Sequence, residues 1–464
     1  MAARLALYGS LALLVTAAVL GSRWLQRAVL LHENAAWMNV DYAGLPEVDL
    51  LRRYVRIDTS HATGNEIPGA RFLAEELRKR GIASTVEVLG THHANLWAIL
   101  EGEVPEAIVL HSHIDVADVP DAARWKYPPF TGEIHKPWLF GRGSFDMKSY
   151  AIAQLLAFAD LVHSGRRPHH SVILLATGDE ETGASEFGMR WILRQHPELA
   201  RRFWAMLTEG GAVEANALDQ IKYWGTETAQ RRYVEVTACA PSRRRLVDLQ
   251  ADLHQHGLER SPARLVPEVA TFLRAYAPSR ESAELRRLLA DPAALVNDPT
   301  AIAALPAYLR QMLHDEILLG PIEPAPGGGF ETELHFLLLP GSSFAGARAA
   351  LLPDWMTPGV SLTVAEDAPA SPGSSTAHPV FRAIDSLLRE RYPGLDHGPL
   401  FLPHTFNDGR FVRALGISSY GFTPFLILST DTEHTDRSNE RIGLPGYISG
   451  VQLYRDLLRR LASE

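Results

Sequence analysis

Cysteine is nearly absent: Cys239 is the only one in 464 residues. An intramolecular disulfide is therefore impossible, and a metal site built on thiolates is excluded. The lone cysteine leaves the compartment open, because disulfide-free chains occur on both sides of a membrane. Positive charge is also in short supply. The chain carries 45 Lys and Arg against 54 Asp and Glu, a formal net charge of -9. It has no Lys/Arg run suited to phosphate binding, so no nucleic-acid partner is expected. No internal repeat is evident.

The longest uncharged apolar run lies at the N-terminus, where 18 residues separate Arg4 from Arg23. That is at the short end for a membrane-spanning helix, about 17–25 residues, and long for the core of a signal peptide. No small-x-small cleavage site follows, since Arg23, Trp24 and Leu25 come next. Residues 1–30 are therefore read as an uncleaved membrane anchor, with a cleaved signal or a buried helix as the alternatives. The expected location is a membrane, reached through this one segment, with the rest of the chain extracytoplasmic, or secretion if the segment is cleaved. Arginines flank both ends, so the positive-inside rule assigns no orientation.

What remains is ordinary globular material, 46% apolar and 21% charged. Its length suggests two or three domains at roughly 100–200 residues each. EVDLLRRYVRI and ARFLAEELRKRGI have helical spacing, the second ending in a glycine stop. TVEVLG, NLWAILEG, AIVLHS, SVILLATG and FWAMLTEGG read as strands. SYAIAQLLAFADLVHSG places Ile152, Leu155, Leu156, Ala159 and Val162 on one helical stripe, and WILRQHPELARR reads as another helix. Strands alternating with helices argue for an α/β layered sheet.

The character changes near Thr226. The strand YVEVTA is followed by a long Arg- and Ala-rich helical region to about residue 316. PIEPAPGGG then leads into the strand FETELHFLLLPG. LVDLQADLHQH and FAGARAALLPDW look like helices packed on this small sheet, and FRAIDSLLRERYPG resumes an amphipathic helix. The expected fold is α/β, with a catalytic domain whose mostly parallel sheet is flanked by helices, plus a smaller inserted α+β domain of the lid or dimerisation type. The boundaries read as 40–227 with 367–464 for the discontinuous catalytic domain, and 228–366 for the insertion.

Three short stretches carry the chemistry: HSHIDVADV at 111–119, GRGSFDMKS at 141–149 and TGDEETG at 177–183. His113 and Asp115 follow an apolar strand, where open α/β sheets bind ligands. One residue apart on an extended chain they point the same way, so Asp115 can orient His113. Alone, His-x-Asp is better explained by a solvated turn. Asp146 alone reads as a helix N-cap, and Gly141 and Gly143 beside it permit close backbone approach. Glu180 and Glu181, preceded by Asp179, repel one another unless cations or protons offset them. Glu209 repeats the placement after FWAML, where a surface glutamate is the plain alternative. Together, His113, Asp146, Glu181 and Glu209 close apolar runs on one edge, and such a donor set suits a divalent metal such as zinc. Glu180 is then left over as a general base.

With these motifs in this order, the sequence resembles the aminoacylase, carboxypeptidase S and N-fatty-acyl-amino-acid hydrolase branch of the co-catalytic zinc metallopeptidases. The likeness covers roughly 47–225 and 367–464, and WKYPPFTG at 125–132 and LFGRGSFDMKS support it. It implies that His113 binds one metal, Asp115 orients it, Asp146 bridges two, and Glu180 is the base. Glu181 and Glu209 complete the pair with a histidine near the C-terminus. NDGRFV at 407–412 matches a substrate-side segment, with Arg410 suited to a substrate carboxylate, although a structural salt bridge explains that arginine equally. NERI at 439–442 matches the closing motif. Two Zn2+ per chain are implied, with Co2+ or Mn2+ as other options, and a homodimer through the insertion.

The chain also departs from that pattern. The family's last histidine precedes the Asn-Glu pair by three residues, a register that here holds Asp436, while His434 lies two residues earlier. His434 is the favoured ligand and Asp436 the alternative. Thr208 stands where many relatives carry aspartate. The insertion has ACAPSRR at 238–244 in place of a Gly-His-Ser segment, and Leu337 where an arginine is usual. The expected activity is hydrolysis of an amide bond beside a free carboxylate, in an N-acyl-amino acid or a short peptide. The rival reading is a membrane-tethered binding protein that keeps the fold with impaired catalysis.

Overall fold

The computed structural model describes residues 40–463 apart from 63, 121 and 216–220. The expected anchor at residues 1–30 lies outside the described residues. Among those described, no helix is long and apolar enough to cross a membrane.

The main sheet has nine strands. In spatial order eight of them run Thr85–Leu89, His93–Leu100, His170–Thr177, Val104–His113, Phe203–Thr208, Ser418–Gly421, Ile221–Gln230 and His397–Leu402, and Ala212–Ala215 pairs with Ile221–Gln230. The four central strands, from His170–Thr177 to Ser418–Gly421, are mutually parallel. VILLAT is apolar without alternation because helices cover both faces there, and every residue of it is buried. One parallel edge thus gathers the carboxyl ends of Val104–His113, His170–Thr177 and Phe203–Thr208.

The helix Lys148–His163 shows how packing exceeds the sequence pattern. Of the expected stripe, Ile152, Leu155, Leu156 and Ala159 are buried, but so are Ala151, Ala153, Ala157 and Phe158 on other faces. The sheet takes one side and the C-terminal helix Leu444–Leu461 covers another, joining both to a single apolar core. WILRQHPELARR is not one helix but two, Met189–Gln195 and Pro197–Ala200. Pro197 has no N–H to offer and holds His196 out of helical geometry, at φ -117 and ψ 57.

A second sheet of four antiparallel strands follows the order Glu316–Pro324, Phe330–Leu338, Arg232–Ala240, Ser361–Asp367. Arg243–Arg260 and Phe344–Leu351 pack on it. The stretch containing PIEP is itself an edge strand. Its register shifts between Leu319 and Ile322, where Pro321 cannot donate to a ladder. The short helices between Pro267 and Gln311 do not join this small core. They close over Tyr223, Ala229 and Phe401 at the far edge of the main sheet. Three short strands, Glu133–His135, Trp138–Phe140 and Arg441–Gly443, form a third sheet. It brings the NERI segment beside the loop that carries Asp146.

Candidate metal centre

His113 ends its strand buried, with its Nδ1 2.8 Å from the main-chain oxygen of Asp115. A carbonyl only accepts, so Nδ1 carries the hydrogen and Nε2 faces the site. That atom lies 3.1 Å from Asp146 Oδ1 and 3.6 Å from Glu209 Oε1. The Asp115 carboxylate is farther, at 3.6 Å from Nδ1, and instead accepts the Glu181 N–H at 2.9 Å. Asp115 therefore orients the imidazole chiefly through its backbone, while its side chain ties the first acidic motif to the third.

Asp146 is not a helix cap. The helix starts at Lys148 with Met147 before it, and no side chain caps its first turn. Nor does Asp146 close a strand of the main sheet; it sits in the loop after Trp138–Phe140. Glu440 fixes that loop, accepting the N–H groups of Phe145 at 3.0 Å and Asp146 at 3.2 Å on one oxygen and Arg142 at 2.7 Å on the other.

The turn after VILLAT is built by close approach. A Cβ on Gly178 would fall 1.8 Å from the Glu66 carboxylate, so only glycine fits. Glu66 accepts from Asp179 N at 3.1 Å and Ala94 N at 2.9 Å, and His93 Nδ1 lies 2.9 Å away. Asp179, at φ 60, turns its own carboxylate back onto Phe187 N and Thr182 Oγ1. Of the three consecutive acids, one thus closes the loop and two remain for the site. Glu209 is held from behind: Asn407 Nδ2 donates to its main-chain oxygen at 3.1 Å, in the space that a side chain on Gly210 would fill.

These elements gather two sets of donors, His113 with Glu180 and Glu209, and His113 with Asp146 and Glu181. Within each, the ligand atoms lie within 4.8 Å of one another. Burial, then Glu209, raises Glu180 well above the ordinary carboxylate range. Burial, then Asp436 and Asp146, does the same to Glu181. Burial and Asp146 push Glu209 up to about 8. Burial opposes a charge on His113, but Glu209, Asp115 and Asp146 outweigh it and raise that group too. Buried oxygens of Asp115, Glu180 and Glu181 have no hydrogen-bond partner in the protein. Crowded carboxylates with unpartnered buried oxygens around one imidazole fit divalent cations.

Two expected residues stand apart. His434 belongs to neither donor set, and nor does the alternative Asp436; the Nδ1 of His434 lies 3.0 Å from Ser438 O. Asp436 is the member of that segment whose charge bears on Glu181 and Asp146. Arg410 is 1% exposed. Its guanidinium lies between the rings of Phe406 and Phe411 and donates to the main-chain oxygens of Gly183 and Asn407. That placement makes it a brace for the Glu180 turn and corrects the expectation of a guanidinium open to a substrate carboxylate. The position of Thr208 is explained locally, since its Oγ1 lies 2.9 Å from Nδ1 of His111, a buried histidine that desolvation keeps neutral, at about 3.

Glu66, Asn407, Asp408 and Glu440 were not singled out from the sequence. Asp408 is buried, 3.6 Å from His111, and raised by burial to about 6. The segments NDGRFV and NERI pointed to three of them. Glu66 carried no signal beyond standing at the start of a helix. Beside the centre opens a cleft of about 700 Å3 lined by Arg124, Trp125, Arg142, His434, Asp436 and Arg437, among others.

Several known proteins are similar to this chain in sequence or in fold. The chain is 32% identical over 135 residues to a probable succinyl-diaminopimelate desuccinylase of Staphylococcus aureus (strain MRSA252), a match covering 29% of this chain and 32% of that protein. It thus spans about a third of the length of that curated relative. Its fold is similar to the M20 family metallo-carboxypeptidase Sso-CP2 from Sulfolobus solfataricus, with a TM-score of 0.68 at 16% identity over 90% of this chain and 99% of that one. Human carnosine dipeptidase 1 aligns with a TM-score of 0.65 at 14% identity, over 94% and 99% of the two chains. The profile of the peptidase family M20/M25/M40 matches residues 109–460, most of the chain, and the protein belongs to that family.

Proposed function

We propose that this chain is a metal-dependent hydrolase that cleaves an amide bond next to a free carboxylate, in an N-acyl-amino acid or a short peptide. One observation carries the reading. Glu180 is 5% exposed, carries an unpartnered oxygen, and stands in the same donor set as His113 and Glu209. His113, Asp146, Glu181 and Glu209 would hold two divalent ions, zinc foremost, with Co2+ or Mn2+ as substitutes. Such a pair, when bound, polarises an amide carbonyl and acidifies a water.

The protein's own groups do the rest. Glu180 takes the proton from the attacking water and passes it to the departing amine. Asp115 and Glu440 keep His113, Glu181 and Asp146 in register, and Arg410 braces the turn through Gly183. The arginines along the cleft give an anionic substrate a favourable approach. Names of relatives acting on dipeptides and succinylated amino acids support the substrate class. The uncharged run before Arg23 supports attachment to a membrane, and the second sheet a homodimer.

The test is the purified chain, metal-loaded, against a panel of N-acyl-amino acids and dipeptides. Release of free amino acid, abolished by a chelator and restored by divalent metal, is expected. A metal-loaded protein with no turnover on any member would overturn the reading and favour a binding protein.

A further inference from the structure

Resting on the metal-centre reading above, we propose that His111 is a positioning residue. Its imidazole ties the ends of the two strands that flank its own, and so sets Glu180 and Glu181 against Glu209 across His113.

The strands His170–Thr177, Val104–His113 and Phe203–Thr208 lie side by side, with His111 on the middle one. Alternation along each strand turns Val109, Leu175 and Met206 to one face, where they pack with Met189, Ile192, Phe411 and Val412. Two residues further along, that face carries His111, Thr177 and Thr208, a buried polar layer at the end of an apolar one. The outer strands stand roughly 9–10 Å apart, too far for two threonines to meet. The ring spans the gap: Nε2 lies 2.9 Å from Thr177 Oγ1 and Nδ1 lies 2.9 Å from Thr208 Oγ1. Gln154 fixes the middle strand at the same level, donating to the His111 main-chain oxygen at 2.8 Å.

The hydrogen bonds run in one direction. Thr177 Oγ1 donates to Asp408 Oδ2 at 3.5 Å, so it accepts from Nε2–H. The neutral ring then has Nδ1 free to accept from the Thr208 hydroxyl. Ser185 Oγ donates to the same Asp408 oxygen at 3.3 Å. The chain of bonds thus starts one residue before Glu209. It passes through the residue before the Gly178 turn, on which Glu180 and Glu181 stand. It ends beside Asn407, which holds the Glu209 main-chain oxygen. Any two partners would satisfy a buried histidine, but both of these lead into acids of the donor sets.

The test uses the full-length protein and cuts one bond at a time. Thr208→Val keeps the side chain's shape, and should weaken metal binding roughly 10-fold or more in competition with a chromogenic chelator. Thr177→Val should lower kcat roughly 10–100-fold at saturating metal, with KM little changed, because the Glu180 turn shifts. Thr208→Ser and Thr177→Ser keep the hydroxyl and should restore both readings. His111→Leu should show both losses; where it fails to fold, the threonine variants decide. If Thr208→Val and Thr177→Val lower only the melting temperature, leaving metal affinity and kcat as in the parent, the proposal is overturned. Serine substitutions that restore nothing would overturn it too. Metal affinity is read without substrate. A parent protein that binds metal but turns over nothing would therefore overturn the proposed reaction, and the Thr208 comparison would still decide the role of His111.

Discussion

Replacing Glu180 with Gln removes one charge from the cluster and keeps the side chain's volume. A general base contributes about 10²–10⁴ in rate, so turnover should fall by that factor, about 3–5 kcal/mol in barrier. The structure adds a second, opposite expectation. Glu180 and Glu209 offer oxygens within 4.8 Å of each other. At an effective dielectric near 20, two like charges 4.8 Å apart repel by about 3.5 kcal/mol, and protonation relieves part of that. The metal-free variant should therefore melt no lower than the parent, and higher at alkaline pH. Steady-state rates on a cleaved dipeptide or N-acyl-amino acid, thermal melts in chelator and metal content together make the assay. Lost turnover with intact metal and an equal or raised Tm supports Glu180 as base. Activity within threefold of the parent would refute it, and a lowered Tm would refute the charge argument.

Other expectations follow from the same physics. In chelator, Glu209 sits at about 8 against an ordinary 4.5, so between those values only the folded state holds that proton. His113, also raised, is stabilised by its charge below its ordinary 6.5 and loses that contribution as pH climbs through its raised value. The Tm of the metal-free protein should thus fall from about pH 5 to about pH 8, and bound metal should flatten the curve; a flat curve in chelator contradicts this. Glu440→Gln weakens the brace on Asp146 and Phe145, and competition with a chromogenic chelator should show roughly 10–100-fold weaker metal binding. An unchanged affinity would remove Glu440 from the centre's support. Glu227→Gln leaves Arg413 buried without its 2.9 Å carboxylate partner, at an expected cost of about 3–5 kcal/mol in urea unfolding. A loss under about 1 kcal/mol would mean that water reaches the pair.

The strands VILLAT and FWAML were legible because a parallel strand covered on both faces must be apolar throughout, and such runs stand out. The acids that follow them were legible for the same reason, as polar residues where the apolar run stops. The edge strand Glu316–Pro324 was not, because its register shift absorbs proline and mimics a loop. Arg410 was visible as a residue type, but its burial between Phe406 and Phe411 depends on chain segments that meet only in the fold.

The order and kind of the acidic and imidazole groups, and the α/β layering that aims them at one edge, were determined by the amino-acid sequence alone, since both depend on local periodicity. Tertiary structure decided which of them meet. It brought His113, Asp146, Glu181 and Glu209 into two donor sets, gave Asp179 to the loop, and assigned Glu66 and Glu440 to hold the motifs in place. Those outcomes rest on distances between residues up to hundreds of positions apart, such as Asp146 and Glu440, and no local pattern encodes a separation of that kind.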